Sequence, residues 1–159
     1  MNHSSMFSSI LLLHSLVRWL VLLSLLFSVY RGWKGWREKK DFTRVDNSYR
    51  YWTVFFALSQ LLLGLWLYFI SPIVQYFLHD IKATIHERDA RFFGLEHIVV
   101  MTLSVLAIVI GSEKIRKKST SPEKFRTMFI WFTIGLLLIL SSIPWPFSPF
   151  TSRPFFRMY

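Results

Sequence analysis

The chain of 159 residues contains no cysteine. Disulfide bonds, thiolate metal centres and iron–sulfur clusters are therefore excluded. Acidic side chains are also scarce, with nine against nineteen Lys and Arg. The sequence holds no phosphate-binding loop, no nucleophile–histidine–acid triad and no paired catalytic carboxylates. These absences remove the common signatures of catalysis and leave open whether the chain is an enzyme.

Apolar residues are abundant instead, at 53% of the chain, and they come in long runs. A run of about 18 or more apolar residues can cross the ~30 Å hydrocarbon layer as a helix. Four runs qualify: 8–30, 52–70, 92–112 and 127–143. The chain is short enough for one domain. We therefore predict an all-α membrane protein, a single domain over 1–159, folded as an up-down-up-down bundle of four transmembrane helices.

The net charge of +10 is concentrated in two short segments between the runs. Segment 31–50 has seven basic and three acidic residues, and 113–126 has six and two. The middle segment, 71–91, is balanced at three and three. Positive charge in short loops marks the cytoplasmic side, so we expect both termini and 71–91 to face outward. This charge distribution indicates that the lipid bilayer is the partner of the chain and argues against binding to nucleic acid.

Two further features concern the ends of the runs. The N-terminus lacks a basic region and a small-residue cleavage site, so we interpret it as the first span and not as a signal peptide. In 71–91 the apolar residues recur mostly three to four apart. That spacing predicts a short amphipathic helix lying on the outer membrane surface.

Four ionisable residues lie inside the predicted spans: His14, Arg18, Glu96 and His97. Such residues normally face the bundle interior and mark function. At 1.5 Å per residue, His14 lies ~9 Å and His97 ~8 Å below the outer boundary. The first and third helices of a bundle are commonly diagonal neighbours, so the two imidazoles can face each other across the core.

This arrangement suits a haem iron, which takes axial imidazoles from opposite faces of its ring. No C-x-x-C-H motif is present, so any haem is b-type and not covalently attached. Gly94 and Gly64 offer space beside a porphyrin, and Gln60 brings a polar group to the same region. Arg18, one turn deeper than His14, is a candidate partner for a propionate. Arg88, Arg91 and Arg153, near the outer surface, are the alternative set, depending on which way the haem points.

A structural interpretation competes with this one. The four ionisable residues could pair with each other, His14 with His97 and Arg18 with Glu96, and simply fix helix register. Arg18 lies ~15 Å below the outer boundary, too deep to reach water easily. Glu96 is the only acidic side chain in any predicted span. We therefore expect Glu96 to be the partner of Arg18, with the amide oxygen of Gln60 as a second acceptor at similar depth.

At these residues the chain resembles small bacterial four-span membrane proteins commonly labelled cytochrome b-like. The resemblance runs from about residue 10 to 147, through "LHSLVRWLVLL", "QLLLGLWLYFISP", "RFFGLEHIVVMTLSVLAIVIG" and "LLLILSSIPWPF". It implies a role in haem binding or in a respiratory inner membrane, at the matching positions His14, Arg18, Trp19, Gly94, Glu96 and His97. Family members often have a histidine where this chain has Ser59 and Gln60, and this departure argues against a third ligand or a second haem.

Two functions follow as expectations. The first is a b-type cytochrome or haem-bearing subunit that passes electrons between a quinone and a partner at the outer face, with Glu96 accepting a proton from the quinol. The alternative is a haem-free accessory subunit of a larger inner-membrane protein complex. A small metal or solute transporter is a third option, but four spans rarely enclose a polar path without oligomerising.

Overall fold

A computed structural model describes residues 3–145 and Thr151. Over this part of the chain the fold is entirely helical. The elements are α1 His3–Arg37, α2 Arg44–Ile70, α3 Pro72–His79, α4 Ile81–Thr84, α5 Arg88–Arg91, a π-helical turn Phe92–Glu96, α6 His97–Lys117 and α7 Ser121–Ser142. Within the described residues, four helical segments are long and apolar enough to cross a membrane: Ser5–Arg37, Arg44–Ile70, Arg88–Lys117 and Ser121–Ser142.

The helices are longer than the predicted spans, because polar turns extend them beyond the apolar runs. The start of α2 shows how. Thr43 caps the helix, its backbone N–H donating to Asp46 Oδ2 at 2.9 Å while Asp46 N–H donates to Thr43 Oγ1 at 3.5 Å. Arg31, near the end of α1, donates from Nε and Nη2 to Asp46 Oδ1 at 2.9 and 2.6 Å. Asp46 is fully buried, so this cluster fixes the turn between α1 and α2.

The four long helices pack as a closed ring. α1 packs against α2 and α7, and α6 packs against the same two helices. Their shared core is centred on fully buried side chains from three of the helices, among them Leu25, Ile108, Met128 and Phe132. The diagonal helices, α1 with α6 and α2 with α7, lack such close packing. The cavity described below lies between α1, α2 and α6.

Polar contacts and glycines fix the register of neighbouring helices. Ser28 and Thr53 share a hydrogen bond of 2.8 Å between α1 and α2, with both residues fully buried. On α1, a Cβ at Gly32 would lie 2.8 Å from the backbone nitrogen of Phe129 on α7. Only glycine allows the two backbones to approach this closely.

The outer surface of the ring is apolar. Large side chains such as Leu62, Phe69 and Leu137 are 67, 70 and 61% exposed. In water such a surface would aggregate, whereas lipid tails solvate it. The chain is thus a multi-pass membrane protein in contact with the bilayer.

The segment 71–91 contains three short helices, α3, α4 and α5, where its spacing predicted one. Pro72 opens α3, a position where the missing N–H costs nothing. Asp80 ends α3 and caps α4 by accepting from Ala83 N–H at 3.1 Å. One face, with Val74 and Phe77, is buried against the bundle. The proline-rich end of the chain lies largely outside the described residues.

Candidate functional site: a cavity between two histidines

A cavity of about 220 Å³ is lined mainly by α1, α2 and α6, with Val74 of α3 and Ile139 of α7 also in its wall, at the end of the bundle where α2 ends and α6 begins. Most of its lining is apolar, with a few polar groups from different helices, which is the usual composition of a ligand site. Five of the predicted site residues line it: His14, Arg18, Gln60, Gly64 and His97. The structure therefore brings together the two histidines that the sequence placed at matching depth.

His97 is held by the end of α7. Its Nδ1 lies 2.8 Å from the backbone carbonyl oxygen of Ser142. A carbonyl oxygen only accepts, so Nδ1 carries a proton, and in the neutral ring Nε2 then keeps its lone pair. A histidine that binds a metal through one ring nitrogen usually donates a hydrogen bond from the other, as Nδ1 of His97 does here.

A π-helical turn, Phe92–Glu96, directly precedes His97. Such turns interrupt α-helices frequently at functional sites. Within the turn, the carbonyl of Gly94 accepts from the Tyr68 hydroxyl at 2.8 Å, which ties α6 to α2. A Cβ at Gly94 would lie 2.2 Å from the Phe77 ring, so Gly94 serves packing against α3 and does not line the cavity. Sequence reasoning did not connect Tyr68 or Phe77 with Gly94, because apolar spacing does not show which residues of different helices meet.

His14 has a different environment. Its Nδ1 is buried with no hydrogen-bond partner in the described part of the chain, and the same holds for Gln60 Oε1. Gln60 Nε2 donates instead to the backbone oxygen of His14 at 3.0 Å. A buried polar atom without a partner costs about 1–3 kcal/mol, so a ligand that engages these atoms would relieve that cost.

Gly64 gives His14 its space. A Cβ at Gly64 would lie 3.3 Å from Cε1 of the His14 ring, closer than nine in ten real Cβ contacts. The other five glycines would instead clash with protein packing, at 2.8 Å or less. Gly64 is thus the one glycine whose missing side chain keeps the cavity open beside an imidazole.

Glu96 lies outside the cavity lining and does not pair with Arg18, so that expectation was wrong. Its Oε1 accepts from Arg91 Nε at 2.7 Å, and the two side chains are 34 and 37% exposed. The π turn between them, with hydrogen bonds linking residues five apart, brings both onto one face. Arg18 does line the cavity, with its guanidinium carbon 5.4 Å from the centre of the Trp19 ring.

The donor set limits what the cavity can bind. Among the described residues no group of three or more His, Asp or Glu is arranged to hold a bare metal ion. His14 and His97, from diagonal helices, are the residues that would hold a haem iron, and imidazole is a ligand type that haem iron takes, so the chemistry of the residues present fits that group.

The fold and the cavity define an all-helical, multi-pass membrane protein with a histidine-lined cavity between its spans. No family model, curated protein or solved structure matches the chain. The assignment of a function therefore depends on the cavity residues themselves.

Proposed function

We propose that the chain is a b-type cytochrome in which His14 and His97 hold one haem b without covalent attachment. The observation that carries this proposal is that both imidazoles line one cavity from diagonal helices, and that one has its Nδ1 fixed while the other has a buried Nδ1 without a partner. Gly64 and Gln60 shape the wall beside His14, and Arg18 offers a cation for a propionate. Haem supplies reversible one-electron transfer when bound.

Binding should require a change in the bundle. Pockets for drug-sized ligands measure about 300–1,000 Å³, above the size of this cavity. α1 and α6 form one of the two diagonal pairs and do not pack closely against each other, so little direct contact between them would have to break. We expect the gap between these two helices to widen when the macrocycle enters.

The proposed activity is electron transfer between a quinone and a partner at the outer face. Glu96 would accept the quinol's proton. Its Oε1 accepts from Arg91 Nε at 2.7 Å, which fixes the position of the carboxylate. Both side chains are partly exposed near the cavity end of the bundle, within reach of a membrane-dissolved ligand.

The proposed setting is a bacterial inner membrane, with both termini outside and the two basic loops in the cytoplasm. The alternation of helix contacts supports the up-down-up-down arrangement. Residues 14, 60, 97 and 142 meet near one end of the bundle, and residues 32, 50, 112 and 129 meet near the other. A larger membrane complex would supply the redox partner.

The absorption spectrum of the purified protein tests this function. Protein produced with ample haem should show a Soret band and a b-type pyridine haemochrome. His14→Ala and His97→Ala should each abolish or shift the band, whereas His79→Ala and His86→Ala, exposed on the outer segment, should leave it unchanged. A colourless wild-type protein would reject the proposal in favour of a haem-free accessory subunit.

A further inference from the structure

A second pocket lies at the opposite end of the bundle, where the two basic loops meet. Its volume is about 370 Å³, and it is formed by the start of α2, the end of α6 and the start of α7. Three cations line it: Arg44, Arg116 and Lys124. Polar Thr43 and Asn47 and the apolar Phe42 complete most of the wall.

Two of the nearby carboxylates are engaged elsewhere. Asp46 is buried against Arg31, and Glu123 lies 3.6 Å from Lys118. Within the described residues no carboxylate forms an ion pair with Arg44 or Lys124. The pocket therefore has two cations available for an external anion.

The third cation and the polar groups have defined roles as well. Arg116 binds Glu113 through one nitrogen, Nη1, at 3.0 and 3.1 Å. Its guanidinium has five N–H donors in all, so further donors remain for a second anion. Asn47 Oδ1 accepts from Arg50 Nε at 3.0 Å, which leaves the Asn47 amide nitrogen as the atom that can donate into the pocket.

The apolar part of the wall indicates what kind of anion fits. Phe42 packs on Phe125 with 4.9 Å between ring centres and lies under the Lys124 ammonium at 5.7 Å. Cationic donors above an apolar floor, at the rim of a membrane-spanning bundle, match a phosphate joined to an acyl glycerol. Basic pockets between transmembrane helices bind anionic lipid headgroups in this way.

We propose that this pocket binds the phosphate group of an anionic phospholipid in the membrane leaflet next to the basic loops. Arg44, Arg116 and Lys124 contact the phosphate, Asn47 donates to it, and Phe42 lies beside the glycerol backbone. Free inorganic phosphate shares the charge but lacks the apolar part. The proposal does not depend on the haem site, which lies at the other end of the bundle.

The test is thermal unfolding of the delipidated full chain in a neutral detergent, titrated separately with phosphatidylglycerol, phosphatidylcholine and sodium phosphate. Phosphatidylglycerol should raise the unfolding temperature in a saturable manner, and the other two should not. The triple variant Arg44→Gln, Arg116→Gln, Lys124→Gln should weaken the apparent affinity by about tenfold or more. The matched control Arg37→Gln, Lys40→Gln, Lys117→Gln removes the same charge outside the pocket and should bind like the wild type.

Each other outcome overturns part or all of the proposal. Equal weakening in both triple variants would show general charge attraction without a site. Stabilisation by sodium phosphate alone would assign the pocket to a free anion. If the triple variant does not fold, the single variants Arg44→Gln and Lys124→Gln replace it, and unchanged affinity in both would reject the pocket.

Discussion

Nδ1 of His97, the first residue of α6, lies 2.8 Å from the carbonyl oxygen of Ser142, the last residue of α7. This contact closes the bundle at the cavity end and uses a carbonyl that has no partner further along its own helix. It determines both the orientation of the imidazole and which of its nitrogens faces the cavity. No comparable contact fixes Nδ1 of His14 among the residues described.

The first prediction concerns the tautomer of His97. Because a carbonyl cannot donate, we expect neutral His97 to carry its proton on Nδ1 in haem-free protein. Nitrogen-15 NMR of histidine-labelled protein in detergent micelles, with His97→Gln to assign the signal, distinguishes the two tautomers. A protonated Nε2 on His97 would contradict the geometry and weaken its role as a ligand.

Substitutions of two glycines separate the cavity from ordinary packing. Gly64→Ala places a methyl group 3.3 Å from the His14 ring, and this ring can shift. The alanine also favours the helix by up to about 1 kcal/mol relative to glycine. We expect little change in stability but weaker haem binding, since His14 must move. Gly32→Ala meets the backbone of Phe129 at 2.8 Å and should cost about 1–3 kcal/mol.

Thermal unfolding in detergent and haem titration measure these two effects. Gly32→Ala is the control, because it should lower stability without touching the cavity. Once its haem affinity is corrected for the unfolded fraction, it should equal that of the wild type, and any remaining loss in Gly64→Ala is then a direct effect on the site. If Gly64→Ala binds haem as the wild type does, the space beside His14 is not part of the site.

Asp46 should be the most sensitive acidic residue of the chain's described part. It is fully buried and accepts from Arg31 and Thr43, so Asp46→Ala breaks a buried ion pair and a helix cap. We expect the free energy of unfolding to fall by about 3 kcal/mol. This is the low end of the range for buried ion pairs, because the Arg31 side chain is 34% exposed. The matched control Glu113→Ala removes a carboxylate paired with Arg116 at the surface and should cost less than about 1 kcal/mol. Urea or thermal unfolding measures both variants, and a similar loss of stability in Asp46→Ala and Glu113→Ala would contradict this account.

The absence of native cysteine makes the membrane orientation directly testable. A single cysteine at Ser119, in the second basic loop, should resist a membrane-impermeant thiol reagent applied to intact cells. A single cysteine at Lys82, in the segment 71–91, should be labelled readily. Permeabilised cells provide the control, because both thiols should then react. The reverse pattern in intact cells would invert the proposed topology.

Hydropathy was sufficient to locate the four long helices, because a membrane span needs only length and apolar side chains. It placed the beginning of the second span at residue 52, whereas α2 begins at Arg44. The cause is the Thr43–Asp46 capping box, a polar signal that lies outside any apolar run. Predicting it required attention to the spacing Thr-x-x-Asp, which is visible in the sequence.

The site was only partly predictable for a different reason. The depth calculation used the helical rise per residue and placed His14 and His97 at the same depth. In the structure both residues line the same cavity. The partner of Glu96 was missed because Arg91 was assigned to a loop and only residues within spans were considered. The π turn, which lets residues five apart share a face, has no signature in apolar periodicity.

The corrected pairing of Glu96 gives the last prediction, a pair of double-mutant cycles. Arg91→Leu and Glu96→Gln should be non-additive in thermal stability, with a coupling of about 0.2–1 kcal/mol, since the ion pair spans 2.7 Å but stays partly exposed. Arg18→Leu and Glu96→Gln should be additive within about 0.5 kcal/mol, because Glu96 pairs with Arg91 and lies outside the cavity that Arg18 lines. The second cycle is the control for the first, as it uses the same Glu96 substitution with a different arginine. Measurable coupling of Glu96 to Arg18, and none to Arg91, would restore the buried pair expected from the sequence and place Glu96 in the cavity.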